Sequence, residues 1–160
     1  MSKVYLGLGS NLNNPRKQLL LAEQAIARLE SVTVMKASAI YRTAPLDDGE
    51  GPLYYNQVLE IETELQPLSL LQLLQQVEAQ QGRVRYAVRW APRTIDIDIL
   101  LYDAMVMNTE VLTIPHYDLH RRVFVLQPLY ELAPELVLPS GQKISELLQQ
   151  VAQTQIEKVE

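Results

Sequence analysis

Apolar positions in this chain recur with two periods, and their succession predicts the order of elements. Val4 to Leu8 is an apolar run closed by Gly9-Ser10-Asn11, which reads as a strand followed by a turn. Asn14-Pro15 then reads as an N-cap with proline at the first helical position. Leu19, Ala22, Ile26 and Leu29 follow at helical spacing, which predicts a helix over Pro15–Glu30. Ser31 to Tyr41, rich in β-branched and small residues, is expected to form a second strand. Thr43 to Pro52 carries Ala-Pro-Leu-Asp-Asp-Gly-Glu-Gly-Pro and reads as a long loop of functional interest.

Alternation returns from Asn56 to Leu65, with Leu59, Ile61 and Leu65 opposite Glu60, Glu62 and Glu64, the pattern of a half-buried strand. Pro67 opens a second helix with the stripe Leu70, Leu73, Leu74 and Val77, and Gly82 is its expected left-handed cap. The stretch Thr94–Tyr102 places Ile95, Ile97, Ile99 and Leu101 on one strand face and Asp96 with Asp98 on the other.

The order strand-helix-strand-strand-helix-strand predicts an α+β fold, a ferredoxin-like βαββαβ core with an antiparallel sheet and its helices on one face. A C-terminal extension follows. Met105–Ile114 reads as a hairpin or short strands and Pro115–Asp118 as a turn. Arg121–Leu132 reads as a short helix carrying Pro128, Pro139-Ser140-Gly141 as a turn, and Ser145–Gln153 as a terminal helix. No repeat or linker divides residues 1–160, which are expected to form a single domain.

The 160 residues are 48% hydrophobic and 21% charged, an ordinary balance for a globular protein. A net charge of −5 argues against a general nucleic-acid or membrane-surface binder. The absence of cysteine excludes disulfides, thiolate zinc sites and cysteine nucleophiles. No apolar run reaches the ~18–20 residues of a membrane span, and no signal-peptide core is visible, so the expected location is the cytoplasm.

Against that acidic background, Arg83, Arg85, Arg89 and Arg93 stand together just before the Asp96/Asp98 strand. Carboxylates at i and i+2 lie roughly 6.5–7 Å apart and repel by about 2–3 kcal/mol at an effective dielectric near 20, a penalty that a cation removes. An isolated Asp-x-Asp is most often only the wet face of a strand. Beside an arginine cluster the pair instead suggests a site for Mg²⁺, which keeps several waters and binds together with substrate phosphates. Guanidinium forks match phosphate geometry. Trp90, the single tryptophan, is either a buried anchor of this segment or a lid over a ligand.

Other motifs are weaker. Gly7-x-Gly9 lacks the third glycine of a dinucleotide fingerprint, and the two glycines fit tight sheet packing or a turn. His116 and His120 are spaced i, i+4 but lack the glutamate of the zinc-protease motif, so zinc catalysis is rejected. His116 retains the option of donating a hydrogen bond to phosphate. Asn56, at a strand start behind Tyr54 and Tyr55, offers the paired donor and acceptor that a flat heterocycle requires, and Phe124 is either core or a stacking surface. On these residues alone, another metal-dependent phosphoryl or nucleotidyl transferase and a non-catalytic ferredoxin-like module both stay open.

The chain nevertheless carries, in order, YLGLGSN at Tyr5–Asn11, YRTAP at Tyr41–Pro45, YYNQV at Tyr54–Val58 and QGRVR at Gln81–Arg85. RWAPRTIDIDILLYD at Arg89–Asp103 and IPHYDLHRRVFVLQPLYELAPEL at Ile114–Leu136 complete the set. Together they resemble the hydroxymethyl-dihydropterin pyrophosphokinases of folate biosynthesis. The resemblance implies pyrophosphate transfer from ATP to the hydroxymethyl group of the reduced pterin, with release of AMP, by a monomer. It implies that Asp96 and Asp98 hold two Mg²⁺ ions, and that Arg83, Arg85, Arg93, His116, Tyr117 and Arg122 contact ATP or the moving phosphates. Glu78 and Ile99 are implied near the nucleotide, Thr43, Leu46, Tyr54, Asn56 and Phe124 in the pterin pocket, and Trp90 on a closing loop. Where the family commonly has proline and glycine, this chain has Ala44 and Ala91, which bears on loop closure.

Overall fold

The structure, a computed structural model, describes residues 1–12, 14–43, 53–82, 95–151 and 156–159. Its elements are β1 (Ser2–Ser10), α1 (Pro15–Ala27), β2 (Val32–Ala37), β3 (Ile40–Thr43), β4 (Tyr54–Thr63), α2 (Pro67–Gln80) and β5 (Asp96–Tyr102). The extension adds β6 (Met107–Asn108), β7 (Thr113–Ile114), a 3₁₀ turn (Leu119–Arg121), α3 (Val123–Leu132), α4 (Ile144–Gln150) and β8 (Ile156–Val159).

The sheet order is β5-β1-β4-β3-β8, with β2 also paired to β4 and all pairings antiparallel. Apart from β8 this is the ferredoxin-like arrangement, its second strand broken into β2 and β3. The break at Ser38 is stitched to β4: Ser38 N–H donates to the Val58 carbonyl, and Val58 N–H donates to Ser38 Oγ, each at 2.9 Å.

One face of the sheet meets α1 and α2. Val4, Leu6, Leu8, Leu59, Ile61, Ile97 and Ile99 pack there on Leu19, Ala22 and Ile26 of α1 and Leu70, Leu74 and Val77 of α2. These are the expected stripes, except that Leu29 and Leu73 are only half-buried. α1 ends at Ala27, short of Leu29, whereas α2 runs past Val77 to Gln80. Gly82, at φ +87°, supplies the left-handed cap for α2. Asn14 caps α1 without a side-chain bond; its backbone is itself left-handed at φ 61° and its carbonyl accepts from Gln18 N–H at 3.1 Å.

The helices of the C-terminal extension cover the opposite face. Tyr5, Val58, Leu100 and Leu101 pack on Val125, Leu126 and Leu129 of α3 and on Ile144 and Leu147 of α4. Leu101 therefore leaves the isoleucine face on which strict alternation places it. The cause is a bulge: Leu6 pairs with Ile99 but Tyr5 pairs with Leu101, so Leu100 is an extra residue that reverses the facing beyond it. Two further differences lie at the C-terminus. The last helix stops at Gln150 instead of reaching Gln153, and β8 lines the sheet edge with its register Thr43↔Ile156 and Arg42↔Glu157.

Candidate active site

The register of the central strands assembles the predicted residues on the α3 face. Residues directly opposite in antiparallel strands project to the same side. Asp96, Gly9, Asn56 and Tyr41 form one row across β5, β1, β4 and β3, and Asp98, Gly7 and Val58 form the next. Tyr54 and Thr43, paired beyond Asn56 and Tyr41, extend the same face, where Thr43 is buried. With strands about 4.8 Å apart, the Asp96 and Asn56 backbones are separated by roughly 10 Å, with a glycine between them. Asp96 and Asn56, far apart in sequence, thus flank Gly9, which has no side chain.

Gly9 lies close under the Asn56 side chain. A Cβ on Gly9 would lie 2.9 Å from Asn56 Oδ1, and one on Gly7 would lie 3.3 Å from the Leu100 side chain. Asn56 Nδ2 is buried and has no hydrogen-bond partner among the described residues. An orphaned buried donor ordinarily costs free energy, so its retention beside an open floor points to an acceptor supplied by a ligand.

Asp96 and Asp98 are half-buried, and the strand between them is held from α2. The Glu78 carboxylate, itself buried, accepts the Ile97 N–H at 2.8 Å. Glu78 therefore fixes the backbone midway between the two aspartates. Ile99 lies in the core against α1 and α2, so its side chain faces away from Asp96 and Asp98. Glu78→Ala would strand the Ile97 N–H, and the expected loss is ~2 kcal/mol, or roughly 4–8 °C in melting temperature. Glu78→Gln, which keeps an acceptor, should recover most of it in a thermal melt.

His116 is anchored beside β5 by its N–H donating to the Leu100 carbonyl at 2.9 Å. Its Nδ1 accepts the Asp118 N–H at 3.2 Å, which places the proton of the neutral ring on Nε2. Nε2 stands 3.8 Å from Asp98 Oδ2, too far for a direct hydrogen bond. Burial first, and then the Arg122 charge, hold the imidazole below its ordinary pKa, so the neutral donor form is favoured near pH 7. Tyr117 stacks on the His116 ring at 4.7 Å and 23° and is largely exposed.

Arg122 is aimed by Asp118, whose Oδ2 accepts from Arg122 Nη2 at 3.1 Å while Oδ1 accepts from Arg121. Burial opposes the charge on Asp118, but the hydrogen bond from Arg121 and the Arg122 charge outweigh it and hold the carboxyl below its usual range. The Arg122 guanidinium sits 5.5 Å over the Phe124 ring. Among the described residues, no three His, Cys, Asp or Glu side chains converge as a ready-made metal cage. Leu46, Arg83, Arg85, Trp90 and Arg93, like Ala44 and Ala91, lie outside the described residues.

Sequence comparison decides the family. A family model for 7,8-dihydro-6-hydroxymethylpterin-pyrophosphokinase matches residues 5–134. The chain belongs to this family. It is 50% identical over 152 residues to the 2-amino-4-hydroxy-6-hydroxymethyldihydropteridine pyrophosphokinase of Haemophilus influenzae, covering 95% of this chain and 94% of that one. It is 44% identical over 148 residues to the Pseudomonas aeruginosa protein of the same name, covering 92% and 91%. A solved HPPK-DHPS chain in complex with substrates superposes with a TM-score of 0.74 at 13% identity, over 92% of this chain and 43% of that one. That likeness speaks for the fold, and this chain spans less than half of the solved one.

Sequence reasoning gave no site role to Gly7, Gly9 or Asp118. Gly7 and Gly9 carry the strand period opposite the aspartate pair, a signal readable only once the register is known. Asp118 adjoins two arginines in H-Y-D-L-H-R-R, a local charge pattern that announces its clamp.

Proposed function

We propose that the α3 face of this sheet is the active site for transfer of pyrophosphate from ATP to 6-hydroxymethyl-7,8-dihydropterin, with phosphates over the Asp96–Asp98 side and pterin over the Asn56 side. The observation that carries this reading is the row Asp96–Gly9–Asn56, which leaves an open floor between carboxylates and an orphaned amide donor. Family membership supplies the reaction, in which ATP is the co-substrate.

Asp96 and Asp98 suit Mg²⁺: hard oxygen donors on one face leave the remaining coordination positions for water and phosphate. They would hold two ions, which when bound supply neutralisation of the phosphate charge. The chain's own groups do the rest. His116 Nε2–H donates to a phosphate oxygen, and Arg122, aimed by Asp118, pairs with another; Arg83, Arg85 and Arg93 complete the clamp. Tyr117 offers its exposed ring to the nucleotide, Glu78 holds the strand beneath it, and Ile99 stays in the core below. On the other side, Asn56 Nδ2 donates to the heterocycle edge, Phe124 covers the ring face, and Thr43, Tyr54 and Leu46 shape the slot. Trp90 closes over both ligands and excludes water.

In this geometry the pterin hydroxyl oxygen bonds to the β-phosphorus of ATP, the α,β-bridging oxygen leaves with AMP, and the hydroxyl proton passes to solvent. Positioning and charge neutralisation carry the rate, and no strong general base is assigned. Residues 1–160 work as one domain, as a cytosolic monomer.

Gly9→Ala tests the shared floor. The added Cβ meets Asn56 Oδ1, so KM for the pterin should rise about tenfold while ATP affinity stays within twofold, a loss of ~1.4 kcal/mol on one side only. Equal weakening of both substrates, or of neither, would count against the arrangement.

A further inference from the structure

Tyr41 is the one member of the Asp96–Gly9–Asn56–Tyr41 row that the reaction does not use. It is buried, lies beside Asn56 in the register, and projects toward α3. Its hydroxyl donates to Glu131 Oε1 at 2.6 Å, and Glu131 Oε2 accepts the Ala39 N–H at 3.0 Å. A single carboxylate on α3 therefore grips both the start of β3 and its first inward-facing side chain.

Glu131 lies seven residues after Phe124 on the same helix. That spacing puts the two on one helix face, roughly 10.5 Å apart along the axis. Between them Val125, Leu126 and Leu129 seat the helix on Tyr5, Val58 and Leu100. One end of α3 thus presents a wall of the pterin slot, and the other end is pinned to the strand that presents the opposite wall, Thr43. We propose that the Tyr41–Glu131 pair is a positioning strut that sets the width of the pterin slot between Phe124 and Thr43. It acts on the heterocycle side alone, because nothing in the pair reaches Asp96, Asp98 or His116.

The hydroxyl is suited to a permanent tie. Burial, and then the hydrogen bond to Glu131, push the Tyr41 pKa well above the ordinary phenol value, so the donor keeps its proton throughout the working pH range. Glu131 is exposed, which tempers the strength of the tie and sets the expected effect at a few-fold.

The inference rests on the reading of Thr43, Asn56 and Phe124 as the pterin slot, and the test separates the two. Binding of 6-hydroxymethylpterin in the presence of Mg²⁺ and a non-cleavable ATP analogue is measured for wild type, Tyr41→Phe, Glu131→Ala, Glu131→Gln, the Tyr41→Phe/Glu131→Ala double variant and Asn56→Ala. Tyr41→Phe and Glu131→Ala should each weaken pterin binding three- to tenfold, with the analogue's own affinity within twofold. The double variant should be no weaker than the worse single variant, since the two residues act as one unit. Glu131→Gln, which keeps an acceptor for the hydroxyl, should fall between wild type and Glu131→Ala. Unchanged pterin affinity in Tyr41→Phe, or equal losses for both ligands, would overturn the strut while Asn56→Ala still weakened the pterin. If Asn56→Ala itself left pterin binding intact, the slot reading would fall first and the strut with it.

Discussion

Changing Asp96 and Asp98 together to asparagine is expected to lower pyrophosphoryl transfer by ~10³-fold or more while leaving the protein folded. Loss of a single preorganised electrostatic group at a reacting centre commonly costs about 10²–10³ in turnover. Here the change removes both carboxylates that would bring the cation to the phosphates. The amides keep the size and shape of the carboxylates, so the fold is expected to be retained. Both side chains are half-buried, and Ile97 between them stays tied to Glu78. A thermal melt together with AMP quantification decides the matter. Turnover lost along with a large fall in melting temperature would assign the aspartates a structural role, and retained turnover would remove the metal assignment.

Asn56→Leu carries the second large effect, and it has the same signature on the pterin side. The buried Asn56 Nδ2 has no partner among the described residues, so replacing the amide by an apolar side chain of similar size removes a desolvated donor worth ~1–3 kcal/mol. Stability should hold or rise. A slot built to hydrogen-bond a heterocycle then loses that recognition, and kcat/KM for the pterin should fall ~10²-fold with ATP affinity unchanged. Stability exchanged for function in this way is typical of a binding site and not of a core position. Calorimetric titration of each ligand, paired with a melt, reads both halves of the forecast.

The elements that announced themselves in the sequence were those whose geometry is set by near neighbours. The Leu19/Ala22/Ile26 and Leu70/Leu74/Val77 stripes and the period-two Asp96/Asp98 pair all follow from local spacing, and each holds in the structure. What local spacing misses is pairing. The Leu100 bulge reverses Leu101 because β5 must match β1, and nothing within Ile95–Tyr102 marks the extra residue. β8 is four residues long with no side chain fully buried, so no apolar pattern signals it, and its place is fixed by β3. The site divides along the same line. Asp96, Asp98, Asn56 and Phe124 were visible as residue types suited to metal and heterocycle chemistry. The Gly7–Gly9 floor and the Glu131 grip on Tyr41 exist only through contacts across the fold.

Pyrophosphate transfer and simple phosphate transfer differ in which phosphorus is attacked, and the label on ATP distinguishes them. The protein is incubated with Mg²⁺, 6-hydroxymethyl-7,8-dihydropterin and ATP carrying ³²P at the β position, and the products are separated. Attack at the β-phosphorus predicts label in the pterin diphosphate, in step with unlabelled AMP and only when the pterin is present. Label recovered in ADP, with none on the pterin, would contradict the account.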